Sequence, residues 1–480
     1  MSTDDDLIRR SAAEVVGLLR DEQVSPLELI DASVRRIEAV DKHINALPIL
    51  CVERAREQAQ RLMADAGRAR EARSRPGWLG GLPIAVKDYN DVSGVRTTHG
   101  SPLFAESVAE RSDYTVETLE GNGAVPLAKS NVPEFAGTHT FNPVFGATLN
   151  PWDTTRSAGG SSGGAAAALA TGMAWLATGS DLGGSVRTPA SFCSVVGLRP
   201  SPGRIARGPG PMPFDPLWVQ GPMGRTVGDV AMMFDAQVGL HTGDPLSFPA
   251  PAEPFAEAAR RRTPPTRVAF SPDLGIISVD PEVAEICAAA TRRFEDSAAR
   301  VDEACPDFSG SSETFHALRA LMFATMKGSL LDEHRDEIAP EIVWNIEQGH
   351  RISSDTLVRA ERTRGEIFER VERFFGDYDV LACPAAIVPP FPVEDRYVEE
   401  VGGQRLPTYI DWIANAFAIT LTSCPAISVP CGFTRSGLPV GLQLVGRPRG
   451  EAALLAAAQL LEDSLAVSEV LPIDPRIGEV

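Results

Sequence analysis

Short apolar runs that stop at charged residues recur along this 480-residue chain, and they constrain its fold more than any other feature. Leu82–Val86 stops at Lys87 and Asp88, and Ala124–Ala128 stops at Lys129. Such runs predict buried strands whose ends carry charged side chains. Four further strands are predicted at Arg267–Phe270, Asp379–Pro384, Ala426–Pro430 and Gly441–Val445. Because these strands alternate with helical patterns, the sequence predicts an α/β layered fold.

The first 75 residues have helical patterns only. The sequence SPLE at 25–28 predicts a capping box with proline at the first helical position, opening a helix that runs to about Asp41. A second amphipathic helix is predicted over about Val52–Ala72. We therefore expect an N-terminal helical segment, residues 1–75, that packs on a domain formed by residues 76–480.

The middle of the chain differs from its two ends. Residues 240–265 are rich in proline and polar side chains, which predicts a surface linker. A helix is predicted at Pro281–Arg300, and residues 310–375 are helical and charged. Residues 240–375 are therefore expected to form a peripheral region, and the sequence leaves open whether it acts as a lid.

Composition excludes several classes of function. The net charge of −19 argues against nucleic acid and anionic membranes as partners, because both require clusters of cationic side chains. Seven scattered cysteines and seven histidines show no metal-ligand spacing, so no metal and no disulfide framework is expected. The N-terminus lacks the pattern of a secretory signal, and we expect a cytoplasmic protein. The sequence leaves the oligomeric state open; a homodimer is one assembly that it allows.

Lysine is scarce, and this makes its positions informative. The chain has only Lys42, Lys87, Lys129 and Lys327 beside 41 arginines. Lysine can lose its proton when it is desolvated, whereas arginine cannot. Lys42 and Lys327 lie in polar helical surroundings and are predicted to be ordinary surface residues. Lys87, at the end of an apolar run, is the candidate for a buried base.

Two glycine–serine loops supply candidate partners for this lysine. The first is GGSSGG at 159–164, and the second covers residues 179–187. Glycines let backbone N–H groups approach one point closely, as an oxyanion hole requires. A serine beside such donors can attack a carbonyl if a base is near.

Three alternatives remain open at this stage. Lys87 can instead form an ordinary buried ion pair with Asp88 or Asp181. Residues 159–163 also satisfy G-x-S-x-G, which would make Ser161 the nucleophile of a histidine-dependent hydrolase. The loops can also bind phosphate, although neither contains a P-loop or dinucleotide-binding pattern.

Taken together and in this order, the motifs closely resemble the amidase signature family. The resemblance covers about residues 81–230 and returns at 379–381 and 425–448. Its most specific part is GSSGG at 160–164, followed 24 residues after Ser161 by Ser185 in DLGGSVR at 181–187. The resemblance implies a single large α/β/α domain with a central mixed β-sheet surrounded by helices, and no cofactor.

The resemblance also implies the role of each site residue. Ser185 would be the nucleophile, Ser161 a serine that follows a cis peptide bond and relays the proton, and Lys87 the neutral base. The oxyanion would be held by the backbone N–H groups of Leu182, Gly183 and Gly184. The side chains implied to support the site are Ser162, Asp181 and Arg187.

The substrate is less constrained than the chemistry. Family members act on amides, ureas and carbamates, and we expect a neutral apolar or aryl amide, an anilide or a carbamate here. No fixed cationic site for an anionic substrate is evident, with Arg156 and Arg187 the only candidates. The candidate substrate pocket consists of Tyr89, Phe141, Phe145, Met212, Phe214 and Trp218.

One alternative assigns the chain to a complex. The family includes the A-type subunits of glutamyl-tRNA amidotransferases, which deliver ammonia to a tRNA-binding partner. Residues 211–223 contain FDPLWVQ in place of the serine-rich stretch expected of those proteins, which argues against this role.

Overall fold

One mixed sheet of eleven strands runs through the centre of the molecule. The computed structural model describes residues 3–64 and 71–478. In chain order, their strands are β1 (Ile49–Leu50), β2 (Pro83–Lys87), β3 (Val125–Ser130), β4 (Phe141–Asn142), β5 (Gly146–Ala147), β6 (Leu149–Asn150), β7 (Asp153–Ser157), β8 (Leu176–Asp181), β9 (Val196–Arg199), β10 (Val219–Gly224), β11 (Arg267–Phe270), β12 (Arg300–Glu303), β13 (Val380–Pro384), β14 (Glu400–Val401), β15 (Gln404–Arg405), β16 (Ala426–Phe433) and β17 (Pro439–Val445).

Helices connect these strands and cover the sheet. In chain order, they are α1 (Thr3–Arg9), α2 (Ala12–Arg20), α3 (Pro26–Val40), α4 (Val52–Ala64), α5 (Tyr114–Gly121), α6 (Gly163–Ala170), α7 (Arg187–Cys193), α8 (Val227–Gln237), α9 (Phe255–Arg261), α10 (Pro281–Thr291), α11 (Ser311–Lys327), α12 (Leu331–His334), α13 (Pro340–Arg351), α14 (Ser354–Phe374), α15 (Ala414–Leu421) and α16 (Glu451–Leu465). Within the described residues, none of these helices combines the length and apolar character that crossing a membrane requires.

The order of strands in the sheet is β1-β3-β2-β8-β10-β9-β16-β17-β13-β11-β12. Strand β2 pairs in parallel with β3 and β8, and β11 pairs in parallel with β12 and β13. The remaining neighbours pair antiparallel. The expected central mixed sheet is therefore confirmed.

Side chains that alternate along the strands enter different apolar cores. On β2, Ile84 and Val86 pack with residues of α2 and α3, whereas Ala85 packs with the alanines of α6. On β13, Val380 enters the core closed by α16, and Leu381 enters the core closed by α11 and α14. Helices thus cover both faces of the sheet, which confirms the predicted α/β/α arrangement.

The N-terminal helices follow the sequence pattern closely. Ser25 Oγ accepts a hydrogen bond from Glu28 N at 3.3 Å, and a Glu28 carboxylate oxygen accepts one from Ser25 N at 2.8 Å. This capping box opens α3 as predicted. The predicted helix from Val52 is confirmed to Ala64, and its residues 65–70 lie outside the described part of the chain.

Three predicted boundaries are wrong. Residues 179–181, predicted as loop, complete strand β8. The helix predicted to reach Arg300 ends at Thr291, and Arg300 begins edge strand β12, whose side chains are exposed or half-exposed. The predicted linker contains α9, because Phe255 is buried and enters the core beside α8.

Candidate active site

The three sequence motifs meet where β2 and β8 end. These two strands are parallel, so their last residues, Lys87 and Asp181, lie at the same edge of the sheet. Residues 159–162 of the first glycine–serine loop precede α6, and residues 182–186 of the second join β8 to α7. In layered α/β folds, ligands commonly bind at the carboxyl ends of strands.

Lys87 lies within a ring of serine oxygens. Its Nζ is 2.8 Å from Ser161 Oγ, 2.7 Å from Ser162 Oγ and 3.0 Å from Ser180 Oγ. The Ser180 carbonyl oxygen is 3.3 Å away, and the side chain of Lys87 is fully buried. A neutral amine can donate to Ser162 and Ser180 while its lone pair accepts the Ser161 hydroxyl proton, so the site suits an uncharged lysine.

The nearby carboxylates of the described residues neutralise other cations, not Lys87. Asp88 pairs with Lys129 at 2.9 Å, and Asp181 pairs with Arg187 at 2.7 Å. The alternative that Lys87 is an ordinary ion-pair lysine is therefore wrong. Burial lowers the pKa of Lys87 well below its ordinary value, although the charge of Asp181 opposes this shift.

The two glycine–serine loops contact each other through their backbones. The Gly160–Ser161 peptide bond is cis, as the family resemblance implies. Ser162 N donates a hydrogen bond to Ser185 O at 3.1 Å, which ties the two loops together. Both Ser161 and Ser185 line the same cavity.

Asp181 organises the second loop. Its carboxylate accepts hydrogen bonds from the backbone N–H groups of Gly184 and Val186 at 3.0 and 3.2 Å. It also binds the guanidinium groups of Arg187 and Arg199. Burial by itself would raise the pKa of Asp181, but the two arginines lower it, so the carboxylate stays ionised.

The N–H groups of this loop divide into two sets. The Gly184 N–H already donates to Asp181, so it is not available to an oxyanion. In the described part of the chain, the N–H groups of Leu182, Gly183 and Ser185 have no protein acceptor. The loop thus has three N–H groups without an acceptor, and two of them, Leu182 and Gly183, are donors that the resemblance assigns to the oxyanion.

Glycine is required at two points of these loops. Gly184 has φ +101°, and a side chain there would lie 2.7 Å from the Cβ of Ala416. A side chain on Gly160 would lie 2.8 Å from the carbonyl group of Thr138. Both residues therefore allow the loops to pack closely against neighbouring segments.

A cavity of about 740 Å³, its open mouth included, contains the two serines. Apolar side chains form most of its wall. The lining residues are Tyr89, His99, Phe135, Ala136, Ser161, Ser180, Leu182, Ser185, Trp218, Met322, Phe323, Met326 and Lys327. Two of the predicted pocket residues, Tyr89 and Trp218, are among them.

The other four predicted pocket residues lie elsewhere. Phe141 lines a separate surface pocket, and Phe145 packs beside the N-terminal core. Met212 packs on the outside of the main core, and Phe214 is 73% exposed. These predictions are wrong because a large apolar residue type does not indicate which way a side chain points.

Helix α11 supplies one wall of the cavity, which was not predicted from the sequence. Met322, Phe323, Met326 and Lys327 follow the spacing of one helical face, and all four line the cavity. That spacing is the signal that could have identified them. Lys327, predicted to be an ordinary surface residue, is therefore the cation of the pocket wall.

Arg156 and Arg187, the two candidates for a cationic substrate-binding site, lie outside the cavity and are paired with carboxylates. Arg187 is fully buried on Asp181, and Arg156 is paired with Asp153 at 3.6 Å. Neither arginine lines the cavity. Among the described residues, no group of three or more His, Cys, Asp or Glu side chains is arranged to hold a metal ion.

Comparison with known proteins places the chain in a family. Residues 28–455 match the family model described as Amidase. The chain is 35% identical to an acylamidase of Rhodococcus erythropolis over 99% of both proteins. It is also 35% identical to the A-type subunit of the glutamyl-tRNA(Gln) amidotransferase of Moorella thermoacetica, covering 95% of this chain and 96% of that one.

A solved structure shows the same architecture. The crystal structure of a bacterial aryl acylamidase of the amidase signature family superimposes with a TM-score of 0.87 and 26% identity, over 97% of this chain and 99% of that one. The molecule is thus an enzyme of the amidase class, a hydrolase acting on carbon–nitrogen bonds other than peptide bonds. The chain belongs to the amidase signature family.

Proposed function

We propose that this enzyme hydrolyses amides with Ser185 as nucleophile, Ser161 as proton relay and Lys87 as general base. The observation that carries the proposal is the 2.8 Å contact between Lys87 Nζ and Ser161 Oγ in a buried site where the described carboxylates pair with other cations. A lysine held uncharged in this way can accept a proton at neutral pH.

In the first half of the reaction, Ser185 Oγ attacks the carbonyl carbon of the amide. The Ser185 proton passes to Ser161 Oγ, and the Ser161 proton passes to Lys87 Nζ. The resulting tetrahedral oxyanion accepts hydrogen bonds from free N–H groups of the loop, with Leu182 and Gly183 as donors. Such donors contribute most when they are fixed in place before the reaction, which the bond between Gly184 N and Asp181 supports.

In the second half, the proton returns from Lys87 through Ser161 to the leaving nitrogen. The carbon–nitrogen bond breaks, the amine departs, and the acyl group remains on Ser185 as an ester. Water then loses a proton along the same path and attacks this ester. The proton returns through Ser161 to Ser185 Oγ as the carbon–oxygen bond to Ser185 breaks, and the acid is released. The scheme is the serine–lysine variant of triad catalysis and uses no histidine.

The proposed substrate is an amide with an apolar or aryl body, including anilides and related carbamates. Apolar side chains such as Leu182, Trp218 and Phe323 form most of the cavity around Ser185. Similarity to an acylamidase and an aryl acylamidase supports the same class. Burial of such a body against these side chains would favour binding by about 25 cal/mol per Å².

The second candidate function is that of an A-type amidotransferase component, which delivers ammonia to a tRNA-binding partner. The 35% identity to the Moorella protein favours it. Against it, the FDPLWVQ segment stands where those subunits are expected to have a serine-rich stretch, and its Trp218 lines the same cavity as Ser185. We therefore rank it second.

A substrate panel tests the two candidates. Purified enzyme without partners is assayed with aryl amides, anilides, esters and carbamates, and ammonia release from glutamine is measured in parallel. The proposal predicts turnover of anilides or aryl amides by the isolated chain. Glutamine hydrolysis with no turnover of any apolar amide would favour the amidotransferase role.

A further inference from the structure

The active-site cavity contains a second lysine that the proposed chemistry does not use. Lys327 is the last residue of α11 and lines the same cavity as Ser161 and Ser185. Met326 and Phe323 on the same helical face line the cavity beside it. Among the described residues that line this cavity, Lys327 is thus the only one with a cationic side chain.

The surroundings of Lys327 are aromatic. Its Nζ is 4.5 Å from the ring centroid of Phe135 and 5.8 Å from that of Phe104. Burial lowers the pKa of Lys327, and no described carboxylate acts against this shift. Lys129 differs, because Asp88 neutralises it at 2.9 Å. A cation in an apolar wall is costly to desolvate unless an anion compensates for it, and the described residues supply none here.

Neighbouring titratable groups do not supply the missing negative charge. His99 lines the cavity, and burial lowers its pKa to about 3, with the charges of Lys327 and Lys129 adding to the effect. His99 is therefore neutral at physiological pH. Tyr89 also lines the cavity, and burial raises its pKa, so its hydroxyl stays protonated.

A row of rings separates Lys87 from Lys327. Lys87 Nζ is 4.9 Å from the Tyr89 ring, and successive ring centroids then lie 6.2, 5.5 and 6.0 Å apart. In order, the row is Lys87, Tyr89, His99, Phe104, Phe135 and Lys327. One amine contacts the serines, and the other is held apart from them at the far end of the row.

We propose that Lys327 is a specificity residue that binds an anionic group, a carboxylate in the first place, on the amide substrate. The apolar body of the substrate then packs on Met322 and Phe323 between Ser185 and Lys327. This inference rests on the proposed amidase function and narrows its substrate class to amides that carry a negative charge. It differs from the expectation of a neutral substrate, and the experiment below decides between the two.

A purely structural role could also explain Lys327, and the experiment must distinguish this role from substrate binding. A lysine in the last turn of a helix interacts favourably with the helix dipole and can be retained for stability alone. Loss of that role would lower the stability of the protein and the turnover of every substrate alike. Loss of a binding role would lower the turnover of charged substrates more than that of neutral ones.

The test compares two anilides that differ in one terminal group. These are hexanoic acid 4-nitroanilide and the mono-4-nitroanilide of adipic acid, which have the same acyl length but end in a methyl or a carboxylate. We expect Lys327→Met to lower the ratio of kcat/KM for the charged over the neutral anilide by about 10- to 100-fold. Lys327→Arg should restore part of this ratio, and the exposed Lys42→Met should leave it unchanged.

A second pair locates the anionic group. 4-Acetamidobenzoate and 4-methylacetanilide carry the same difference on the amine side of the scissile bond. A selective loss with this pair, but not with the first, would place the charge on the leaving group. An unchanged ratio for both pairs, or an equal loss on charged and neutral members, would overturn the proposal.

Binding measurements on an inactive variant test the role of Lys327 independently of the proposed amidase activity. Calorimetry measures the affinity of each anilide for Ser185→Ala and for Ser185→Ala combined with Lys327→Met. Weaker binding of the charged anilide alone in the double variant supports the proposal even if the wild type hydrolyses neither compound. Equal affinities in the two variants would overturn the proposal even if the wild-type enzyme proves to be an active amidase.

Discussion

The two walls of the active-site cavity are built in opposite ways. The serine wall, formed by Ser161 and Ser185, belongs to two short loops: Ser161 precedes α6 and contacts Lys87 at the end of β2, and Ser185 follows β8. The helical wall, formed by Met322, Phe323, Met326 and Lys327, is one face of α11. The first wall holds a hydrogen-bonded polar network, and the second has mostly apolar surface around one lysine that no described carboxylate neutralises. We infer that chemistry and substrate choice reside in different parts of the chain.

The largest effect should come from the nucleophile. Ser185→Ala removes the attacking oxygen, and we expect kcat/KM on every amide and ester to fall at least about 10³-fold. Ser33→Ala is the matched control, because Ser33 is buried on α3 and its hydroxyl has no partner among the described residues. Steady-state assays compare kcat/KM of both variants with that of the wild type. Retention of wild-type rates in Ser185→Ala would refute the assignment.

The next effect should come from the base. Lys87→Met removes the proton acceptor, and we expect a loss of about 10²- to 10⁴-fold that is larger for amides than for esters. In the wild type, kcat/KM should rise with pH as Lys87 loses its proton, and activity should be lost as the pH falls through its lowered pKa. If kcat/KM of the wild type does not rise with pH, Lys87 is not the base.

The same edge of the sheet also contains a lysine with a different role. Lys129 pairs with Asp88 and donates to Thr97 Oγ1 at 2.8 Å. Lys129→Met leaves the buried carboxylate without its cation, and we expect a loss of about 3–5 kcal/mol in the free energy of unfolding. Lys87→Met leaves no charge behind and should cost about 1–3 kcal/mol. Denaturant unfolding compares the two variants, and equal losses would contradict the distinction.

The helical wall should give the smallest and most selective effect. Met322→Ala removes apolar contact area, and we expect about 10-fold lower kcat/KM for a hexanoyl anilide. An acetyl anilide should change by less than about 2-fold, because its short chain needs less of this wall. Met63→Ala, at an exposed position on α4, serves as the control. Equal losses on both anilides would show that α11 supports catalysis and not only substrate choice.

The same contrast explains what the sequence could and could not predict. The lysine and the two serines lie in local motifs with fixed spacing, so the sequence identifies them and the fold brings them together. Phe214 was assigned to the pocket from its residue type, yet it lies on the surface. Lys327 was missed because it was assigned to polar surroundings, although Met322, Phe323 and Met326 precede it at helical spacing, and the packing of α11 over the cavity shows its position. Edge strand β12 was not predicted because RVDE contains one apolar residue and none of its four side chains is buried.

The most direct test of the central claim is to locate the acyl group of the intermediate. The enzyme is mixed with 4-nitrophenyl hexanoate, quenched in acid during turnover, digested and mapped by mass spectrometry. Our account predicts one hexanoyl group, attached to Ser185, in the wild type and none on that peptide in Ser185→Ala. Acylation of Ser161, or rapid turnover without acylation of any residue, would contradict it.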